Sequence, residues 1–364
     1  KRLFVAEFDF SKFFDSIAHE HIETLLRERR FFLTDLELHV LKAFLRAPTL
    51  SLPAYSATTR DQRVRGIPQG TSVSLFLANI AAQPLDDRLE RLGVGFVRFA
   101  DDTLIWSDDY SLICRAATTL EDTARDMGVD LNLAKSAGIH ILTPDGAPAE
   151  FKQKPMVEFL GYKISADRIS IRTKNVADIK EWISYLLYSN LLEEPKRGNL
   201  VAARVAPPVD RDYVVFIFQL RRYLYGDLSE KQLRRYLARD LPRIRYQGLM
   251  SFYPILDDEI QLRELDGWLL HSVYTTLRLR RRLFASAGVT ALPEPHGLQK
   301  GKLPDFFGKS TEGTTLDLRL PSFARMGRLL HRASKIYGAN AIANPAAGYG
   351  ASAARRAIQH LYGP

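Results

Sequence analysis

The chain has 364 residues, 46% hydrophobic and 26% charged, which is enough apolar material for a sizeable core and an ordinary globular charge content that excludes disorder as the default. Lys and Arg outnumber Asp and Glu by 51 to 42, a net charge of +9 that favours a polyanionic partner such as nucleic acid without identifying one. The single cysteine, Cys114, excludes an intramolecular disulfide, and no run of 18 apolar residues offers a membrane span, so a reducing, cytoplasmic setting is expected.

Residues 3–10 are short, apolar and aromatic and read as a strand reaching Asp9. Ser16 is placed to cap a helix with Ile17, Ile22, Leu25 and Leu26 on one face. Thr34 followed by Glu37 is a capping box that opens a helix carrying Leu36, Val40, Leu41 and Phe44. Residues 48–70, with Pro48, Pro53, Gly66, Pro68 and Gly70, read as irregular or short-strand structure. A helix from about Ser72 is expected to break or kink at Pro84 and to stop at Gly93.

Two apolar runs, 94–99 and 103–107, flank Ala100-Asp101-Asp102 and predict a hairpin with an acidic tip. A helix over 111–127 stops at Gly128, and short strands are expected near 129–133, 137–142, 156–164 and 168–172. From Thr173 the strand signals nearly vanish. Helices are expected over 174–190, 212–225, 229–240, 257–287, 322–337 and 352–362, with a loop at 193–210 and a Gly- and Pro-rich linker or irregular cover at 288–321. The expected fold class is α+β: an antiparallel sheet with helices on one face, followed by an all-helical region.

A carboxylate in an apolar strand requires compensation, and two or three carboxylates brought together repel one another. A divalent metal resolves both problems, and an oxygen-only donor set of few carboxylates plus substrate phosphates suits Mg2+. Two such ions can clamp the attacking and leaving oxygens of an in-line phosphoryl displacement. Asp9, Asp101 and Asp102 are the candidate ligands; a plain polar turn is the competing reading of the Asp-Asp pair alone.

The ordered set of motifs resolves that competition. Phe8-Asp9-Phe10-Ser11-Lys12-Phe13-Phe14-Asp15 resembles motif A of reverse transcriptases, Gly66-Ile67-Pro68-Gln69-Gly70-Thr71-Ser72 motif B, and Phe99-Ala100-Asp101-Asp102 the Tyr-Ala-Asp-Asp box of motif C with Phe for Tyr. Leu131-Asn132-Leu133-Ala134-Lys135-Ser136 resembles motif D and Phe159-Leu160-Gly161-Tyr162 motif E, the primer grip. The resemblance implies a right-hand polymerase palm with part of the fingers over 1–172, a helical thumb over 173–287 and a C-terminal helical extension over 288–364. It implies an RNA-directed DNA polymerase that adds dNTPs to a primer, with two Mg2+ ions, or Mn2+ in their place, held by Asp9, the Phe10 backbone carbonyl, Asp101 and Asp102. The basic residues that hold the triphosphate normally precede motif A, and the chain opens at Lys1, so a fingers segment is expected to be missing.

The remaining candidates have physical jobs within that resemblance. The Phe14 ring would collide with a 2′-hydroxyl and reject ribonucleotides, although packing beside Phe13 explains it equally. Gly70 would let backbone approach the nucleotide, and Gln69 would contact nucleotide or template. Lys135 is a candidate to protonate the leaving pyrophosphate. Phe159, Leu160 and Gly161 would hold the primer end. His19, His21, His39 and His140 form no metal pattern and read as structural.

In the helical region, Arg221, Arg222, Lys231, Arg234, Arg235, Arg239, Arg243 and Arg245 interleave with Tyr223, Tyr225, Tyr236 and Tyr246, a pattern that suits phosphate contact and base stacking. Arg278, Arg280, Arg281 and Arg282 form a second cluster. Arg325, Arg328, Arg332 and Lys335, spaced 3, 4 and 3, share one helical face, where like charges repel unless an anion sits there. RNA template and DNA product are the expected partners. Motif B continuing as Thr71-Ser72-Val73-Ser74-Leu75-Phe76-Leu77-Ala78-Asn79-Ile80, together with the helical tail, most resembles bacterial abortive-infection and defence-associated reverse transcriptases. That subgroup implies antiphage defence, an associated non-coding RNA and homo-oligomers. An RNA polymerase on the same palm and an inactive palm kept as an RNA-binding scaffold are the other readings.

Overall fold

The computed structural model describes residues 2–29, 31–47, 63–132, 136, 138–144, 151–205, 208–226, 228–241, 244 and 248–339. The chain divides into two compact units, Lys1–Phe159 and Leu160–Pro364. Each has its own hydrophobic core.

The first unit begins with β1 (Phe4–Phe8) and β2 (Phe10–Ser11), which lie on either side of Asp9. The single turn α1 (Phe13–Ser16) follows, then α2 (His19–Glu28), which buries Ile22, Leu25 and Leu26 as the apolar spacing predicts. Ser16 ends α1 and does not cap α2, which is entered from Ala18. The capping box opens α3 (Asp35–Leu45), with the Glu37 N–H donating to the Thr34 hydroxyl at 3.3 Å and the Thr34 N–H to the Glu37 carboxylate at 2.8 Å. Its Leu36 and Val40 remain exposed all the same.

The next helix, α4 (Ser72–Leu92), runs 21 residues without a break, contrary to the interruption expected at Pro84. A proline removes one helical hydrogen bond. Leu77, Ala81, Leu85 and Leu89, on both sides of Pro84, are all buried, and their packing carries the helix through the proline. Gly93 stops it in the left-handed region, as Gly128 stops α5 (Tyr110–Met127).

Between these helices lies the hairpin of β3 (Gly95–Phe99) and β4 (Asp102–Ser107), and after α5 come β5 (Asp130–Leu131), β6 (Gly138–Leu142), β7 (Gln153–Lys154) and β8 (Met156–Phe159). The main sheet has the order β3-β4-β1-β6-β7, with β1 antiparallel to both β4 and β6. Phe4, Ala6 and Phe8, at the strand period of two, enter the core with Ile105, and α4 and α5 pack on each other and on that sheet.

The second unit opens with β9 (Tyr162–Ser165) and β10 (Ile169–Ile171), an antiparallel pair. It then becomes helical, as expected: α6 (Thr173–Leu187) runs into a π-helical turn at Tyr188–Leu192, followed by α7 (Glu193–Lys196), α8 (Arg211–Tyr225), α9 (Glu230–Leu237) and the 28-residue α10 (Glu259–Ser286). The Gly- and Pro-rich stretch is an ordered cover. It carries the hairpin β11 (Phe307–Lys309) and β12 (Thr315–Asp317) and buries Leu303, Phe306, Leu318 and Leu320 in the same core. α11 (Phe323–Tyr337) closes the described chain, and the helix expected at 352–362 lies outside the described residues.

A closed ionic cluster joins these parts. The buried Arg280 guanidinium donates to Asp210 (2.9 Å), Asp212 (2.7 Å) and the Leu191 carbonyl (2.7 Å), while His296 Nε2 lies 2.7 Å from Asp210. Burial alone would raise the Asp210 carboxyl; the His296 hydrogen bond and the Arg280 charge outweigh it and hold the group below its ordinary range. For Asp212 burial wins, and its carboxyl is raised. The basic cluster expected at 278–282 is therefore divided, with Arg280 in the core while Arg278, Arg281 and Arg282 remain exposed. Among the described residues, no helix is long and apolar enough to cross a membrane.

Candidate active site

Strand pairing brings the acidic residues to one end of the sheet. β1 and β4 pair from Phe4 opposite Ser107 to Phe8 opposite Thr103, so Asp9 and Asp102, the first residue of β4, each lie one residue beyond the last pair, where the same register would set them opposite one another. Directly opposed residues in an antiparallel pair have Cα atoms about 4.5–5.5 Å apart and project from the same face. That face is the one opposite the helices, because Phe4, Ala6 and Phe8 use the other parity to reach the core. Phe99, paired with Asp102, is 56% exposed.

Asp101 sits in the turn between β3 and β4, preceded by Ala100 at φ 54°. A left-handed alanine costs about 1–2 kcal/mol, so the acidic tip is held in a conformation that its own residues do not favour.

Asp9 is fixed by residues of motif D. The Asn132 side-chain amide donates to Asp9 Oδ2 at 3.0 Å, the Asn132 backbone N–H donates to the Asp9 carbonyl at 2.8 Å, and the Asp9 N–H donates to Ser136 Oγ at 3.4 Å. Sequence reasoning gives Asn132 no role; its one signal is its place beside Leu131 in the motif. Beyond Asp9, Phe10 pairs with Leu131 of β5. The Phe10 ring is buried and stacked on Phe13 at 5.3 Å, which leaves only its backbone to face a ligand.

Motif B is strapped onto motif A. Gly66, at φ 83°, donates its N–H to the Ile17 carbonyl at 2.7 Å, and a Cβ there would lie 2.5 Å from the Asp15 carbonyl oxygen, so only glycine fits. His19 Nε2 lies 2.8 Å from the Gly66 carbonyl, a structural role as expected. The strap delivers Gln69, whose amide donates to Asp15 Oδ2 at 3.3 Å, one residue beyond Phe14. Gly70 is exposed at φ 98°, and Thr71 caps α4 by accepting from the Ser74 N–H at 3.1 Å. Phe14 is half-buried with its edge toward Phe13.

Motif E is a turn with two consecutive left-handed residues, Leu160 (φ 48°) and Gly161 (φ 86°), after Phe159 at the end of β8. Asn175 braces it from below and donates to the Tyr253 hydroxyl at 2.8 Å. Lys135 lies outside the described residues.

The basic face divides in two. Arg234 and Arg235 are exposed on α9, and Arg332 and Lys335 on α11. Arg325 donates to Glu230 at 3.2 Å, and Arg328 lies 3.9 Å from Glu259, so acidic neighbours relieve the repulsion that the spacing implied. Tyr223, Tyr225 and Tyr236 are buried and offer no stacking surface, while Arg243, Arg245 and Tyr246 lie outside the described residues.

Among the described residues, no three His, Cys, Asp or Glu side chains form a ready-made metal cage. The candidate donors are all hard oxygens: the Asp9, Asp101 and Asp102 carboxylates and the Phe10 carbonyl. That set fits Mg2+, which takes one or two protein carboxylates and completes its shell with water and substrate phosphates.

Residues 1–164 match the family described as reverse transcriptase (RNA-dependent DNA polymerase). No curated protein matches the chain. Similar solved structures include the telomerase of Candida albicans in complex with a fragment of telomeric RNA (15% identity, TM-score 0.40, 80% of this chain and 49% of that one). They also include the telomerase of Candida tropicalis in complex with a telomeric RNA fragment (12%, 0.38, 80% and 50%) and a foamy viral protease-reverse transcriptase in complex with double-stranded DNA (14%, 0.33, 74% and 35%). The chain spans between about a third and a half of the length of these proteins.

Proposed function

We propose that the chain is a nucleotidyltransferase of the reverse-transcriptase kind, adding dNTPs to a primer 3′ end on an RNA template. The observation that carries this reading is that Asp9 and Asp102 both lie one residue beyond the last pair of the β1–β4 ladder, at one end of the sheet, inside the segment that matches the reverse-transcriptase family. In this reading 1–172 is the palm with part of the fingers, 173–287 the thumb and 288–364 an extension.

Asp9, Asp102, Asp101 and the Phe10 carbonyl would hold two Mg2+ ions, or Mn2+ in their place. When bound, the ions supply activation of the primer hydroxyl and neutralisation of charge on the leaving pyrophosphate. Asn132 keeps the Asp9 carboxylate in one orientation. Phe14 would limit the space beneath the sugar, Gln69 and Gly70 would receive the nucleotide, and Lys135 would supply a proton to pyrophosphate. Phe159, Leu160 and Gly161 would position the primer. Arg234, Arg235, Arg325, Arg328, Arg332 and Lys335 would contact nucleic-acid backbone without regard to sequence. Antiphage defence, an associated non-coding RNA and a homo-oligomer complete the reading and rest on the sequence resemblance over residues 71–80 together with the long helical tail.

Primer extension on an RNA template tests the reading. With Mg2+, dNTP incorporation is expected to exceed rNTP incorporation by about a hundredfold or more, and Phe14→Ala is expected to narrow the gap. A preference for rNTPs, or synthesis that persists in chelator, would overturn it.

A further inference from the structure

Arg98 makes contacts that the family motifs do not account for. It lies on β3, two residues before the turn residue Ala100, and its side chain is 6% exposed. The pleat turns it to the helical side of the sheet, opposite the face that carries Asp102, and there it meets α4. Nε and Nη2 form a fork onto Asp86 at 2.8 and 2.6 Å. Nη1 donates to Asn79 Oδ1 at 3.3 Å and to the Ala100 carbonyl at 3.2 Å. One guanidinium therefore ties a helix to the strained peptide immediately before Asp101.

We infer that Arg98 is a positioning residue for the metal-binding turn, held in register by Asp86 and acting through the Ala100 carbonyl. The planar fork matters. A bidentate carboxylate pair fixes the guanidinium plane, so the remaining Nη1 presents its hydrogens in a set direction. That hydrogen bond orients the Ala100–Asp101 peptide, and strained residues persist only where their surroundings over-determine them. Lysine offers a single flexible charge and cannot hold Asp86 and the carbonyl together. Because α4 starts directly after Gln69 and Gly70, the same helix links the nucleotide strap to the acidic tip.

The inference rests on the polymerase reading, and the test separates the two. Mn2+ binding is titrated by electron paramagnetic resonance on the parent chain, Arg98→Lys, Asp86→Asn and Asn79→Ala, with thermal melting in parallel. Groups behind a metal ligand typically alter affinity 10–100-fold. Arg98→Lys and Asp86→Asn are expected to weaken Mn2+ binding about tenfold, their combination no further than either alone, and Asn79→Ala by less. Asp86 is half-exposed and Asn79 exposed, so these variants keep the test open if Arg98→Lys does not fold. Folded Asp86→Asn and Asn79→Ala chains that bind Mn2+ within twofold of the parent overturn the role of Arg98. A parent chain that binds no Mn2+ even with a dNTP present overturns the polymerase reading itself.

Discussion

Two pairs of carboxylates, one in each unit, have different surroundings. In the second, Asp210 and Asp212 are buried against Arg280 and His296, within hydrogen-bonding reach of built-in cationic or protonatable partners. In the first, Asp9 and Asp102 lie one residue beyond the last pair of the β1–β4 ladder, and Asp9 takes a hydrogen bond from the neutral amide of Asn132. Like charges directly opposed across a ladder destabilise a sheet. A buried carboxylate with its own arginine holds the fold together, whereas in the proposed reading Asp9 and Asp102 would hold a cation that arrives with substrate.

Breaking that comparison at its functional end should have the largest effect. Asp101→Asn is expected to reduce synthesis roughly a thousandfold or more, about 4 kcal/mol of transition-state stabilisation, in a primer-extension assay. Its melting should be nearly unchanged, because the tip lies outside the core. Retained synthesis would place the chemistry elsewhere.

At the structural end, Arg280→Ala removes the guanidinium shared by Asp210 and Asp212, leaving them His296 and Arg204, and is expected to cost about 3 kcal/mol in denaturant unfolding of the second unit. Mn2+ binding by the first unit should survive. A destabilisation below about 1 kcal/mol would show that the cluster carries little stability.

A smaller, pH-dependent effect sharpens the same point. The Asp210 carboxyl is held below its unfolded value, near 3.9, so its contribution is present above that value and disappears as the pH falls through the lower folded one. Asp212, raised by burial, has the opposite sign. The stability deficit of Asp210→Asn relative to the parent is therefore expected to be complete at pH 7 and to shrink below about pH 4; a deficit that grew on acidification would reverse the assignment.

The smallest effect belongs to the basic face. Neutralising Arg332 and Lys335 should flatten the salt dependence of nucleic-acid binding, by about one unit of log-log slope for each phosphate that is no longer neutralised. Arg325 and Arg328, next to Glu230 and Glu259, should contribute less. An unchanged slope would remove this face from the interface.

Much of the first unit is legible in the sequence because its signals are local. The Thr34 capping box, the stops at Gly93 and Gly128, and the hairpin around Ala100-Asp101-Asp102 each follow from a few adjacent residues. The unbroken helix through Pro84 is not legible in that way, because burial of Leu77, Ala81, Leu85 and Leu89 overrides a local breaker. Long-range polar pairing is hidden for the same reason: nothing in the spacing connects Asn132 with Asp9, Arg98 with Asp86, or Arg280 with Asp210 and His296. An arginine in a basic run reads as a surface charge until its partner, distant in the chain, is known. The exposed Leu36 and Val40 show the reverse, an apolar spacing that does not guarantee burial.

The convergence of Asp9 with the Asp101–Asp102 turn is tested most directly by anomalous diffraction from a crystal soaked in Mn2+. The predicted result is manganese density bridged by the Asp9 and Asp102 carboxylates on the open face of the sheet. Carboxylates that diverge, with manganese bound elsewhere or not at all at saturating concentration, would contradict it.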